Sequence, residues 1–241
     1  MASLVNTSIR RGTSAVIRAG TGTGKTLAYL IPSIVSGNST VVVTATKALQ
    51  DQLAHKDLPF LELHLDTPSG TPFTWAVLKG RSNYLCRQRV AEIGGLPSAD
   101  RVQLSLEGID DEGRAEVKRL AEWADTTISG DLTELDWSPS ESTIRAVTVS
   151  SDECPGAAQC PQGESCFAEF ARFNAASADV VVVNAHLYGL NIAADGALLG
   201  DHDVVIFDEA HVLEDVMSDT VGVELSAGRL ARVATAVRRI V

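Results

Sequence analysis

Three runs of consecutive β-branched residues constrain the fold of this chain more than any other feature. They are TVVVTA (40–45), ADVVVVNAH (178–186) and DVVIFDEAH (203–211). Continuous apolar strands are covered on both faces, which is the environment inside a parallel sheet flanked by helices. Two further stretches, TSAVIRA (13–19) and FTWAVLKG (73–80), predict additional strands. We therefore predict an α/β fold with a parallel sheet and helices on both of its faces.

The segment RAGTGTGKT (18–26) joins the first predicted strand to a predicted helix at 25–36. Its glycines let the backbone wrap around phosphate groups, and the first N–H groups of the following helix point at the anion. In this pattern the Lys25 side chain reaches the β- and γ-phosphates, and the Thr26 hydroxyl binds Mg²⁺. A strand before and a helix after favour a nucleotide site over a chance glycine-rich turn. The predicted phosphate-binding residues are Ala19, Gly20, Thr21, Gly22, Thr23, Gly24, Lys25 and Thr26.

Two acidic residues end the last predicted strand. Asp208 and Glu209 follow four apolar residues, so both lie at the carboxyl end of a buried strand and face the same crevice as the phosphate loop. Acidic pairs also often simply begin helices, where the helix dipole favours them. The phosphate loop upstream favours a catalytic role, in which Asp208 holds Mg²⁺ and Glu209 polarises the attacking water. Together with Lys25 they form the predicted catalytic set.

Charge is distributed unevenly along the chain. The formal net charge is −11, but residues 1–93 hold ten of the twenty Lys and Arg and only five of the thirty-one Asp and Glu. Local fields, not totals, attract a polyanion, so this first part suits a nucleic-acid partner. No apolar run approaches the ~18 residues of a membrane span, and the N-terminal residues have no signal-peptide core. We therefore expect a cytoplasmic protein with no membrane partner.

The stretch from about Gly80 to Ser177 is turn-rich, breaks the strand–helix alternation and holds all four cysteines. In a cytoplasmic chain, metal binding explains such a set better than disulfides. Paired Cys-x2-Cys knuckles, the usual zinc signature, are absent from the sequence. Four thiolates suit either zinc or a [4Fe–4S] cluster, and four independent buried thiols are the remaining alternative. The candidate metal ligands are Cys86, Cys154, Cys160 and Cys166.

These motifs, in this order, resemble those of a known family. The phosphate loop with DEAH (208–211) resembles the superfamily 2 helicases. KGRSNYLC (79–86), the clustered cysteines and VVVVNAHLYGL (180–190) resemble the XPD/DinG-type iron–sulfur DNA helicases. The resemblance implies a RecA-like P-loop NTPase fold, ATP and Mg²⁺ as cofactors, a [4Fe–4S] cluster on the four cysteines, and 5′ to 3′ translocation. It also places His211 at the ATP site, on the surface that couples ATP to DNA.

The resemblance further implies a surface for single-stranded DNA. TATKALQDQL (44–53) is similar to the segment of those helicases that touches the DNA backbone, and NAHLY (184–188) lies in a family-like motif. Basic residues around an aromatic, as in RSNYLCRQR (81–89), suit a single strand, because cations follow phosphates and rings stack on bases. Tyr84 itself is better explained as a core residue that covers the cysteines. The candidate nucleic-acid residues are Thr46, Lys47, Arg81, Asn83, Arg87, Asn184 and His186.

The resemblance divides the chain into three parts. Residues 1–79 are the first part of helicase motor domain 1, residues 80–177 the iron–sulfur insertion, and residues 178–241 the second part of motor domain 1. Arg18 stands where the family usually has Glu. Nothing in the sequence resembles motor domain 2, which normally supplies an arginine to the transferring phosphoryl group. We therefore expect weak nucleotide binding, very slow hydrolysis and no unwinding by this chain alone, and a separate chain carrying motor domain 2 is a candidate partner.

Three other interpretations stay open at the level of the sequence. One is an iron–sulfur or zinc-bearing single-strand nucleic-acid-binding module without ATPase activity, whose DNA affinity would survive Lys25→Ala. Another is a different P-loop ATPase with a structural zinc, such as an RNA helicase. The last is a chain that does not fold on its own.

Overall fold

A parallel four-stranded sheet organises the protein. The computed structural model describes residues 1–20, 22–95 and 111–221. The strands are β1 (Thr40–Thr44), β2 (Trp75–Val77), β3 (Val180–Asn184) and β4 (Val204–Phe207). They lie in the order β2-β3-β1-β4, and every neighbouring pair is parallel. The prediction of an α/β fold with a parallel sheet is confirmed.

Helices connect the strands in the described part of the chain. They are α1 (Ala2–Arg11), α2 (Lys25–Ser36), α3 (Lys47–Gln52), α4 (Leu58–His64), α5 (Arg87–Gly95), α6 (Asp111–Ala124), α7 (Glu141–Val147), α8 (Phe167–Ser177), α9 (Ala185–Ala193) and α10 (Leu213–Val221). The helix predicted at 25–36 is confirmed and continues through Pro32. A π-helical turn (Leu53–Asp57) follows α3 and leads into α4. All helices of the described ranges are too short or too polar to cross a bilayer.

The valine runs place their side chains alternately into two cores, one on each face of the sheet, because successive strand residues point to opposite faces. On one face, Val42, Val180 and Val182 pack with α2 and α4. On the other face, Val181 and Val183 pack with α8, α9 and α10. All five valines are at most 4% exposed. Coverage on both faces is what the uninterrupted apolar runs predicted.

A third core lies in the cysteine-bearing part of the chain. Tyr84 and Leu85 pack there with α5, α6 and α7 and with Phe167 at the start of α8. Tyr84 is only 4% exposed, so its predicted role as a core residue is confirmed. Helix α8 belongs to two cores, because its last turn packs Ala175 against the sheet. The third core falls within the predicted insertion at 80–177, whose boundaries stay a prediction.

The stretch 13–19 is irregular, so the strand predicted there is wrong. It follows Gly12, which ends α1 in a left-handed conformation, and the Val16 side chain is fully exposed. A strand is stable only with a hydrogen-bonded neighbour, and none of the four described strands pairs with this stretch. Composition alone therefore does not create a strand here. The strands predicted at 40–45, 73–80, 178–186 and 203–211 are present with shorter bounds.

Candidate active site

The carboxyl ends of β1, β3 and β4 meet at one edge of the sheet. Thr44 at the end of β1 lies opposite Asn184 at the end of β3, and Val43 lies opposite Phe207. The Asp208 N–H extends the ladder by donating to the Val43 carbonyl at 2.9 Å. The acidic pair therefore leaves the sheet at this edge, where parallel sheets place their ligands.

The glycine-rich loop leads into the N-terminus of α2. Gly22 and Gly24 both have a φ of 73°, a left-handed conformation that glycine adopts without strain. Gly24 is the N-cap of α2, and the first N–H groups of a helix have no partner within the helix. Such a terminus favours an anion. The described residues of the loop are Ala19, Gly20, Gly22, Thr23 and Gly24, all exposed or half-buried, whereas Thr21 lies outside the described residues.

Lys25 and Glu209 form an ion pair across the site. The Lys25 Nζ donates to the Glu209 Oε1 at 2.6 Å, and the two side chains are 22% and 31% exposed. The hydrogen bond to Glu209 is the main cause that raises the pKa of Lys25, and the same bond lowers the pKa of Glu209. Both groups are therefore charged at neutral pH. The structure brings these two predicted catalytic residues into contact.

Asp208 is held by a tyrosine on α2. The Tyr29 hydroxyl donates to the Asp208 Oδ2 at 3.0 Å, and the Asp208 Oδ1 accepts the Glu209 N–H at 3.0 Å. Tyr29 is 3% exposed. Burial, and then the negative charge of Asp208, raise the pKa of Tyr29. The Tyr29 hydroxyl is thus a neutral donor to Asp208, one of the two predicted Mg²⁺ ligands.

Glu209 has an unusual backbone conformation. Its φ of 56° and ψ of 45° are left-handed, which costs a non-glycine residue about 1 kcal/mol or more. The His211 Nδ1 lies 3.4 Å from the Glu209 Oε2, and His211 is 73% exposed. The carboxylate therefore lies between Lys25 and His211. Strained residues of this kind cluster at functional sites.

The structure brings the four cysteines into one region. Cys86 precedes α5, and the other three lie along the loop that ends at α8. Burial raises the pKa of the Cys86 thiol, backbone N–H groups partly lower it, and the charges of Cys160 and Cys166 raise it further. Burial lowers the pKa of Arg81, but the hydrogen bond and charge of Glu169 raise it, and the charges of Cys154 and Cys166 raise it further. All four cysteines are free thiols and half-buried.

The loop that carries three of the cysteines is tightly folded. The Cys160 N–H donates to the Gly156 carbonyl at 3.1 Å, and the Cys166 N–H donates to the Gly163 carbonyl at 3.3 Å. A Cβ atom at Gly163 would overlap the Ala157 carbonyl oxygen. Within the described residues, no group of three or more His, Cys, Asp or Glu side chains is arranged as a metal site. The ligand role of the cysteines stays a prediction.

Most of the predicted nucleic-acid residues have structural partners. Thr46 and Asn184 cap α3 and α9, and the Asn83 side chain donates to the Gly80 carbonyl. Arg81 forms an ion pair with Glu169.

Arg87 lies over the Phe167 ring, 4.5 Å from its centroid, and donates to the Ala124 carbonyl at 2.6 Å. Lys47 and His186 are exposed in the first turns of α3 and α9. These two helices follow the neighbouring strands β1 and β3, so both residues lie at the edge of the sheet that carries Asp208.

Known proteins resemble this chain over its whole length. The DEAD/DEAH box helicase family matches residues 2–70. The ATP-dependent helicase DinG of Mycobacterium tuberculosis (strain ATCC 25618 / H37Rv) is 39% identical over 250 residues, which cover 100% of this chain and 38% of that protein. The chain is a homologue of the DinG-type helicases. The DinG-type resemblance of its motifs is thereby confirmed, and the chain carries a helicase motor domain related to theirs.

Two further relatives of the chain are named ATP-dependent DNA helicase YoaA. The Escherichia coli (strain K12) protein is 39% identical over 235 residues, which cover 95% of this chain and 35% of that protein. The Haemophilus influenzae protein is 37% identical over 237 residues, which cover 95% of this chain and 34% of that protein. The chain therefore spans between 34% and 38% of the length of these relatives.

Tyr29 is the residue of this site that sequence reasoning missed. It lies four residues after Lys25 on α2, so the two side chains share one face of the helix. That spacing was a usable signal, because a tyrosine on the lysine face of the helix approaches the same crevice.

Proposed function

We propose that this chain is the ATP-binding motor domain of an ATP-dependent DNA helicase, which in the whole protein moves 5′ to 3′ on single-stranded DNA. The observation that carries the proposal is the contact between the phosphate loop and the acidic pair. Lys25 and Glu209 are 184 residues apart in the sequence, yet Nζ and Oε1 are 2.6 Å apart. The names of the relatives, ATP-dependent helicases and DNA helicases, support it.

Each residue of the site then has a defined task. The Lys25 ammonium binds the β- and γ-phosphates above the N-terminus of α2. Thr26 and Asp208 offer a hydroxyl and a carboxylate oxygen, the hard donors that Mg²⁺ prefers, and Asp208 also accepts a hydrogen bond from the Tyr29 hydroxyl. When bound, Mg²⁺ neutralises charge on the phosphates. Glu209 orients the attacking water, and His211 lies beside it.

Nucleotide binding tests this proposal. The Lys25→Ala variant lacks the ammonium group that binds the phosphates, so we expect its Kd for MgATP to rise at least about tenfold. The matched control is Lys56→Ala, because Lys56 is exposed on the π-helical turn. Equal MgATP affinity in the wild type and Lys25→Ala would remove the basis for an ATP site. DNA binding with no ATP binding would favour the single-strand-binding module instead.

We further propose that Cys86, Cys154, Cys160 and Cys166 hold a [4Fe–4S] cluster. Their grouping supports this, because Cys86 interacts with Cys160 and Cys166, and Arg81 with Cys154 and Cys166. Four free, half-buried thiols form a donor set for such a cluster. When bound, the cluster supplies cross-links between the loop and α5.

Metal analysis of protein purified without oxygen tests the cluster. We expect a brown protein with about four irons per chain. Finding one zinc per chain would indicate a structural zinc site instead of the cluster. Finding no metal would refute both the cluster and the zinc site. A Cys160→Ser variant is expected to lose the chromophore, and Ser165→Ala, in the same loop, is the control that keeps it.

We propose that single-stranded DNA runs along the edge of the sheet where β1 and β3 end. Lys47 and His186 are exposed there and can face the DNA. Thr46 and Asn184, which cap α3 and α9, and Asn83 are further candidate DNA contacts. Charge reversal in Lys47→Glu is expected to weaken binding to single-stranded oligonucleotides and to lower its salt dependence. Unchanged binding of Lys47→Glu at low salt would show that the DNA binds at another surface. A DNA substrate agrees with a cytoplasmic location.

A further inference from the structure

Tyr29 combines a core position with a contact to the active site. Its ring belongs to the core between α2 and the sheet, with Leu30, Ile34 and Val42. Only the hydroxyl is polar, and it donates to the Asp208 Oδ2 at 3.0 Å. For packing alone, phenylalanine would serve as well, and it would bury no polar group. The hydroxyl therefore needs an explanation in terms of its partner.

The partner is a carboxylate that must keep one orientation. The Asp208 Oδ1 accepts the Glu209 N–H at 3.0 Å, while the Oδ2 accepts the Tyr29 hydroxyl. A carboxylate has about four acceptor positions, so two remain for other ligands. With one bond on each oxygen, rotation about the Asp208 side chain is blocked.

Tyr29 lies on α2, which begins at Lys25, whereas Asp208 follows β4, so the two residues come from distant parts of the chain. Their hydrogen bond therefore ties the acidic pair to the helix that follows the phosphate loop. The contact needs no nucleotide, so it can organise the site before binding.

We propose that Tyr29 is a positioning residue for Mg²⁺, and that its hydroxyl holds Asp208 in the orientation that receives the metal of the Mg–nucleotide complex. This inference rests on the proposed function. It predicts that Tyr29 affects the metal-dependent part of nucleotide affinity and leaves the metal-independent part unchanged. A purely structural tyrosine would alter both parts together, or neither.

Calorimetric titration with ADP separates the two parts. The Kd for ADP is measured in EDTA and again with MgCl2, and the ratio of the two values gives the metal-dependent gain. In Tyr29→Phe we expect the Kd in EDTA to be unchanged and the ratio to fall about tenfold, as for a lost hydrogen bond to a charged group. Titration with Mn²⁺, followed by its electron paramagnetic resonance signal, is expected to show the same loss.

The matched control is Tyr188→Phe. Tyr188 is also buried, its ring packs against Phe207, and its hydroxyl lies 3.3 Å from the His202 Nε2 instead of bonding Asp208. Its loss is expected to leave the ratio unchanged. If Tyr29→Phe does not remain folded, Tyr29→Met gives the same comparison, because methionine adapts to irregular core space and also lacks the hydroxyl.

The outcomes separate this inference from the proposed function. Wild-type protein that binds ADP no more tightly with Mg²⁺ than without it would refute the proposed function and this inference together. A wild-type ratio that persists in Tyr29→Phe would refute only the role of Tyr29. A parallel rise of both Kd values would make Tyr29 a structural residue.

Discussion

Glu209 makes contacts that a nucleotide would have to change. Its Oε1 accepts Lys25, while phosphate groups would compete for the same ammonium. Both side chains are partly exposed, so the ion pair contributes little to folding and breaks readily. Lys25 can therefore leave Glu209 when a phosphate arrives, which frees the carboxylate for water.

Replacing the carboxylate tests this exchange of partners. In Glu209→Gln we expect MgATP to bind up to about fivefold more tightly, because the Glu209 carboxylate no longer competes with the phosphates for the Lys25 ammonium. ATP hydrolysis in the whole protein should fall by about 10²–10⁴-fold, since the group that orients water is lost. Kd and kcat are measured with Glu214→Gln as the control, because Glu214 is an exposed acid on α10. Weaker MgATP binding in Glu209→Gln would contradict the exchange.

Sequence reasoning reached some residues of the site and not others, for a physical reason. The meeting of Lys25 with Asp208 and Glu209 at one edge of the sheet was predictable, because each belongs to a short local motif. The contact of Tyr29 with Asp208 was not, because Tyr29 belongs to neither motif. Composition also could not tell that Arg81 and Arg87 are engaged by neighbouring groups.

The cysteine loop depends on a close backbone approach. Gly163 passes so near the Ala157 carbonyl that a side chain would force the backbone to move. The loop has little apolar surface of its own, so its shape rests on turns such as the one from Cys160 to Gly163.

A single methyl group tests the loop. In Gly163→Ala we expect the free energy of unfolding to fall by roughly 1–3 kcal/mol through overpacking. Thiol labelling of Cys160 and Cys166 in the metal-free protein should accelerate, because the loop opens. The control is Gly94→Ala in α5, where nothing lies within 4 Å of the added atom. Equal labelling rates in the two variants would show that the loop accommodates the methyl group.

The strands and helices were predictable to the extent that their signals are local. The valine runs of β1 and β3 form almost fully buried strands, whereas the run of β4 forms a strand that is half-buried throughout. The stretch 13–19 has similar composition, but its pairing depends on a neighbour that the local sequence does not contain. Residues 47–57 form α3 followed by a π-helical turn, which hydrophobic spacing does not distinguish from a continuous α-helix.

At the scale of the whole molecule, one ion pair joins the sheet to the cysteine-bearing part. The Lys79 Nζ lies 2.7 Å from the Asp131 Oδ2, and the two side chains are 10% and 12% exposed. The Lys79 N–H also donates to the Tyr84 hydroxyl at 3.1 Å. Gln50, from α3, donates to the Leu78 carbonyl at 3.3 Å. The residues after β2 are therefore held by both parts of the molecule.

Removing the carboxylate of this pair leaves the nearly buried Lys79 with weaker partners, the Asp51 Oδ1 at 3.5 Å and the Thr133 hydroxyl at 2.9 Å. In Asp131→Asn we therefore expect the free energy of unfolding to fall by about 1–3 kcal/mol, as for a lost hydrogen bond between charged groups. In Asp136→Asn, which breaks the exposed pair with Arg119, the loss is expected to stay below about 1 kcal/mol. Urea denaturation measures both. A double variant with Lys79→Met should recover part of the loss, and no recovery would show that Asp131 acts through other contacts.

Helix α8 spans the distance between the two parts of the molecule. Its N-cap is Cys166, its first turn packs Phe167 into the cysteine-bearing core, and its last turn packs Ala175 against the sheet beside β2. Eleven residues of helix extend about 16 Å and behave as a stiff rod. A displacement of the cysteines would therefore be transmitted along α8 to the edge of the sheet at β2.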